Sequence, residues 1–147
     1  MEDKVFGNLT FNHGWIKKEA ISLWGKNYNL DIRTSSYPNQ EPNEKQREAY
    51  KCFKSSISAI DEETQVKLAQ FISDDPDSEI SGSLEWVMNE FPEHVQPEEI
   101  LFFQDGSYAI ECCTDWNEDG ISILINNKEV MIGYSDELLD RKIRSEE

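Results

Sequence analysis

The run Asp115-Trp116-Asn117-Glu118-Asp119-Gly120 comes nearest to a chemical site in residue type and spacing. It matches the first half of a calcium loop: oxygen-bearing side chains at alternate positions, then a glycine turn, can wrap a hard cation. The second half does not follow. The twelfth position is Asn126 instead of a bidentate glutamate, and the flanks read as strands. An acidic β-turn is the expected reading, with Asp115, Asn117 and Asp119 kept as a candidate cation set. His13 and His94 lie far apart and neither has a nearby ligand pattern. Cys52, Cys112 and Cys113 form neither a metal spacing nor an even disulfide framework. The chain has no phosphate-cradling glycine loop, no G-x-S-x-G and no H-E-x-x-H. Carboxylates are so common that no acid/base pair stands out. No catalytic residue and no cofactor is expected. Trp15, Trp24 and Trp86 are expected in the core or at its edge, whereas Trp116 sits in a polar acidic loop, where an aromatic can anchor an interface.

The elements that must position these residues follow from periodicity. Tyr28, Leu30 and Ile32 alternate with polar neighbours, as in a half-buried strand. Trp15 to Trp24 is a second strand candidate, with Gly25-Lys26 as the turn between them. Val5 to Phe11 is a short third. Two prolines in Tyr37–Asn43 end this β region. Asn43 and Gln46 have the spacing of a capping box, and Ala49, Phe53 and Ile57 recur on one helical face. A second helix is expected from Asp61, with Val66, Ala69 and Ile72 inward, and Ser73-Asp74-Asp75-Pro76 stops it. A third follows Leu84, Val87, Met88 and Phe91 and ends at Pro92. Strands are then expected at Ile100–Phe103, around Ile110, at Ile121–Ile125 and at Lys128–Ile132, with turns at Asp105-Gly106 and Asn126-Asn127. The charged tail from Asp140 reads as frayed. This gives a single α+β domain over 1–147, β-rich in 1–36 and 100–134 and helical in 43–91. An N-terminal antiparallel meander, two to three central helices and C-terminal antiparallel hairpins would pack in two layers.

A chain of 147 residues with 37% hydrophobic residues is long enough for one real core. Its net charge of -16 sets it apart. Such a charge excludes unaided binding to nucleic acid or anionic membrane and favours a basic protein partner. The opening MEDKVFGNLTF lacks a basic segment followed by an apolar one, so no secretory leader is expected. A reducing cytoplasm is the simplest location, and the Asn8-Leu9-Thr10 sequon carries no weight there. The acidity is concentrated. Residues 1–60 hold 7 acidic and 9 basic residues, 61–119 hold 17 acidic residues against Lys67 alone, and 120–147 hold 6 and 4. Even solubility would spread charge, whereas recognition concentrates it.

Phe6-Gly7-Asn8-Leu9-Thr10 followed by Gly14-Trp15 resembles the FGxLTxxxxW opening of a bacterial domain family of unknown function. The Trp24–Tyr28 turn, Gln46-Arg47-Glu48-Ala49-Tyr50, Pro97–Ile100, Asp105-Gly106 and the Trp116–Gly120 loop resemble its later segments in order, over most of residues 5–134. Members often carry a histidine before the final glycine, where this chain has Asp119. The resemblance implies no activity. It implies a context of small bacterial proteins, some near toxin and immunity genes.

The expected function is an acidic protein-binding module, an immunity or antitoxin-type inhibitor that masks a basic site on a toxin such as a nuclease. Its partner-binding residues would be Asp61, Glu62, Glu63, Asp74, Asp75, Asp77, Glu79, Glu85, Glu90, Glu93, Glu98, Glu99, Trp116, Glu118 and Asp119. A calcium module at 115–120, a housekeeping domain or an unrecognised enzyme are the alternatives.

Overall fold

In the computed structural model, which describes residues 1–146, the chain opens on fragments instead of one strand over Val5–Phe11. Strands β1 (Glu2–Asp3) and β2 (Gly7–Asn8) form a small ribbon, and β3 (Thr10–Phe11) joins the main sheet. The buried Asp3 carboxylate causes the difference. It accepts the Val5 and Phe6 N–H groups at 3.0 and 2.9 Å and folds the backbone into a tight turn that drops Phe6 into the core. Arg47 pairs with the same carboxylate at 2.8 Å.

Strands β4 (Trp15–Leu23) and β5 (Lys26–Thr34) pair antiparallel from Ile16↔Arg33 to Leu23↔Lys26. The register makes Trp24 and Gly25 the central turn residues, at φ 53° and 79°, one position earlier than expected from Gly25-Lys26. A left-handed tryptophan costs about 1–2 kcal/mol. Tertiary contacts offset it: the Trp24 N–H donates to Asp61 and its indole donates to Thr64.

Helix α1 (Glu44–Ser55) begins with both bonds of the Asn43/Gln46 capping box. Helix α2 (Ile57–Asp74) starts after the single break at Ser56, four residues before the expected Asp61. Ile57 and Ile60 pack on the core, so the first turn is held by burial and not by capping charge. Thr64, Leu68, Ala69 and Ile72 face inward, and Val66 is only partly buried. Helix α3 (Leu84–Glu90) follows a 3-10 turn at Pro76–Ser78, and a second such turn, Phe91–Glu93, contains Pro92.

Strand β6 (Val95–Phe102) begins five residues before the expected Ile100. A bulge between Pro97 and Glu99 interrupts its alternation and hides its start. Strands β7 (Tyr108–Thr114), β8 (Ile121–Asn126) and β9 (Glu129–Tyr134) complete an antiparallel meander. The β8–β9 turn is centred on Asn127 and Lys128, at φ 48° and 71°, not on Asn126-Asn127. The tail forms helix α4 (Leu138–Ser145) where fraying was expected, because Leu138 and Leu139 pack on the sheet.

The main sheet runs β3-β4-β5-β6-β7-β8-β9 and every pair is antiparallel except β5–β6. The two β regions thus form one sheet, and the helical third is the crossover between parallel neighbours. The helices cover one face, where Phe53, Leu68, Ile72, Val87 and Phe91 meet Ile32, Ile100, Phe102, Ile110 and Ile123. Each of these is fully buried, and each such side chain contributes about 1.5–3 kcal/mol. On the opposite face α4 covers one end, placing Leu139 on Leu101, Phe103 and Ala109. The other end is open. Among the described residues no helix is long and apolar enough to cross a membrane.

Candidate functional site

Strand periodicity divides the acidic block between two surfaces. Asp61 through Glu93 belong to the helical layer. Glu99 pairs with Asp31 and Glu111 in one row across β5, β6 and β7, one residue out of step with Ile32, Ile100 and Ile110 beneath the helices. Successive strand residues alternate faces, so Glu99 points to the open side.

On the helical layer Glu62, Glu63, Asp74, Asp77, Glu79, Glu85 and Glu93 are exposed, and Glu90 is half-buried. Glu63 pairs with Lys67 at 3.3 Å and Glu93 with Lys26 at 3.0 Å. Among the described residues Glu62, Asp74, Asp77, Glu79 and Glu85 have no ion pair. Asp61 and Asp75 are committed inside the fold: Asp61 takes the Trp24 N–H, and Asp75 accepts from the Tyr134 hydroxyl.

The two tryptophans exchange expectations. Trp116 is partly buried against the core and its Nε1 donates to the Tyr134 hydroxyl at 2.9 Å, which ties the β7–β8 loop to α2 through Asp75. Trp86 is 48% exposed on α3.

The open face holds a recess of about 570 Å³. Carboxylates of Asp31, Glu98, Glu99, Glu111, Glu118 and Asp119 line it, with Lys18, Cys113 and Leu139 at its edges. Lys18 pairs with Asp31 at 2.8 Å and Arg33 with Glu99 at 2.5 Å, while Glu98, Glu118 and Asp119 have no ion pair among the described residues. Glu111 accepts from Ser122 at 2.8 Å and Ser135 at 3.1 Å through Oε1, and its buried Oε2 has no hydrogen-bond partner among the described residues. Burial pushes its carboxyl above the usual range, the two serines pull it down, and Glu99 adds to the upward push.

The Asp115–Gly120 run closes the β7–β8 loop. Asp115 meets His94 Nδ1 at 2.6 Å, and the Asn117 side-chain oxygen accepts the Asp119 N–H at 2.8 Å. Gly120, at φ 78°, is required there: a Cβ would lie 2.3 Å from the Cys112 carbonyl oxygen. Among the described residues no three His, Cys, Asp or Glu side chains are grouped to hold a metal. Asp115, then Glu90, raise the His94 pKa, so the ring carries positive charge further toward neutrality than usual. Burial pushes the Cys112 and Cys113 thiols up, away from the thiolate form that reactive cysteines need.

Sequence reasoning missed Trp86, Asp31 and Glu111 as candidate site residues. The Trp86 signal was present, since position 86 lies off the stripe of Leu84, Val87, Met88 and Phe91. Asp31 and Glu111 were legible only as outward positions of alternating strands, with no hint that β5 and β7 flank the same strand.

A family model described as "Domain of unknown function (DUF6985)" matches residues 5–139. No curated protein and no solved structure matches the chain. The matched span covers nearly the whole sequence, so the chain belongs to the DUF6985 family.

Proposed function

We propose that this DUF6985 member is an acidic protein-binding module, an inhibitor of the immunity type that masks a basic site on a partner such as a nuclease toxin. The exposed carboxylates of Glu62, Asp74, Asp77, Glu79 and Glu85, which have no ion pair among the described residues, carry this reading. Charges left uncompensated at the surface repel one another, and a basic partner relieves that repulsion while steering its own approach. The calcium alternative at 115–120 is less favoured, because Asp115 and Asn117 already spend oxygens on His94 and the Asp119 N–H.

The test is co-expression with a basic toxin domain encoded by a neighbouring gene. Growth should be rescued and a complex recovered. Reversing Glu62, Asp74, Asp77, Glu79 and Glu85 to lysine should abolish both while the fold persists by circular dichroism. Unrelieved toxicity with the native chain, or full rescue by the reversed one, overturns the reading.

A further inference from the structure

Three of the four indoles donate hydrogen bonds inside the molecule. Trp15 donates to the Gln40 carbonyl at 2.6 Å, Trp24 to Thr64 at 3.0 Å and Trp116 to Tyr134 at 2.9 Å. Trp86 Nε1 has no partner among the described residues, and its ring stacks on no other aromatic and carries no cation. Its main chain is held in place. Ser83 caps α3 by accepting the Trp86 N–H at 3.1 Å. One side of the ring lies against bare backbone, since a Cβ at Gly82 would come within 3.2 Å of Cε3. The rest of the ring is turned to solvent.

Helical spacing puts Asn89 and Glu90 on the same face as that ring, with Glu85 next to it in the chain. Glu85 has no ion pair, and Glu90 lies 3.4 Å from His94. An apolar partner seated here would desolvate these carboxylates without pairing them, which is costly. A cation satisfies ring and carboxylates together. Arginine fits better than lysine, because a planar, weakly hydrated guanidinium stacks on an indole and leaves its edge for carboxylates.

We propose that Trp86 is the anchor of the acidic surface: its exposed ring receives an arginine side chain from a basic segment of the partner protein, beside Glu90 and within reach of the exposed carboxylates of the helical layer. This deepens the acidic-module reading and rests on it. The ring already rests against the Gly82 backbone on one side, which reduces the side-chain freedom lost on binding.

Titration of the 15N-labelled chain with hexa-arginine peptide at low salt, read at the four indole N–H signals, tests it. The Trp86 signal should move, and those of Trp15, Trp24 and Trp116 should stay. Trp86→Leu keeps apolar bulk but no ring, and should weaken binding about fivefold, whereas Trp86→Phe should keep most of it. Hexalysine should bind more weakly than hexa-arginine. The three unmoved indole signals report that each variant is folded. Equal affinity of Trp86→Leu and the native chain overturns the anchor and leaves the acidic module standing. Failure of both peptides to bind overturns the module itself.

Discussion

Glu111 and Asp3 are two buried-side carboxylates driven in opposite directions. Burial pushes Asp3 up, but Arg47 and the Phe6 and Val5 N–H groups outweigh it and hold the carboxyl below its usual range. Glu111 has no ion pair among the described residues. It sits opposite Glu99 across the β6–β7 ladder and leans on two serine hydroxyls. Its folded pKa therefore lies above its unfolded one, so its contribution to stability is intact at low pH and is lost as pH rises through the folded value. Glu111→Gln keeps an acceptor for Ser122 and Ser135 and removes the ionisation. The variant should match the native chain near pH ~4 and exceed it at pH ~8 by up to about 1 kcal/mol, the scale of a cross-strand pair. Urea denaturation at the two pH values measures this, and a gap that does not change with pH refutes it.

At the scale of elements, α1 shows what a local signal can and cannot tell. The Asn43–Gln46 spacing forecasts a capping box, and both bonds form, at 2.8 and 2.9 Å. The same Gln46 amide, fully buried, also donates to the Ser35 and Phe102 carbonyls at 3.1 Å each, pinning the helix start to the seam between β5 and β6. Gln46→Ala should lower stability by about 2 kcal/mol, beyond the ~1 kcal/mol of a lost cap, because two amide hydrogen bonds go with it, although the Ser35 and Phe102 carbonyls keep the Gln104 amide and the Ser35 N–H as donors. Thermal or urea unfolding of Gln46→Ala beside Asn43→Ala separates the two, and equal losses would confine Gln46 to capping. Caps, the β4–β5 alternation and the helical stripes were legible because their partners lie within a few residues. The Trp24 turn was not, because Asp61 and Thr64 hold it from α2. The merger of two β regions into one sheet was not, because Asp31 and Glu99 are brought together only by the helices between them. Clustering along the chain left open whether the acidic block forms one face, and the period-2 turn of β6 sends Glu99 to the other side. Polar neighbours made Trp116 look exposed, when Tyr134 and Asp75 draw it inward.

Over the whole molecule the charge is uneven in a way the net value conceals. Nearly every base of residues 1–60 is engaged: Lys4, Lys17, Lys18, Lys26, Arg33, Arg47, Lys51 and Lys54 all form ion pairs. Only Lys26 and Arg33 among them reach into the acidic block, at Glu93 and Glu99. Apart from Glu63 with Lys67, Asp105 with Lys142 and the His94 contacts, the carboxylates of that block repel one another, and salt screens such repulsion over a length of about 10 Å at 0.1 M. The midpoint of thermal unfolding should therefore rise as sodium chloride goes from about 10 to 200 mM. A midpoint that falls would mean that the ion pairs outweigh the repulsion. The β5–β6 pairing adds a consequence in time. The strands before it and the meander after it are built from neighbours in sequence and can form early, but the sheet closes only when the crossover has brought Asp31 to Glu99. That crossover is the acidic helical layer. The surface proposed to meet a partner is thus also the crossover that closes the sheet, and a basic partner present during synthesis is expected to change how fast the chain closes as well as what it later binds.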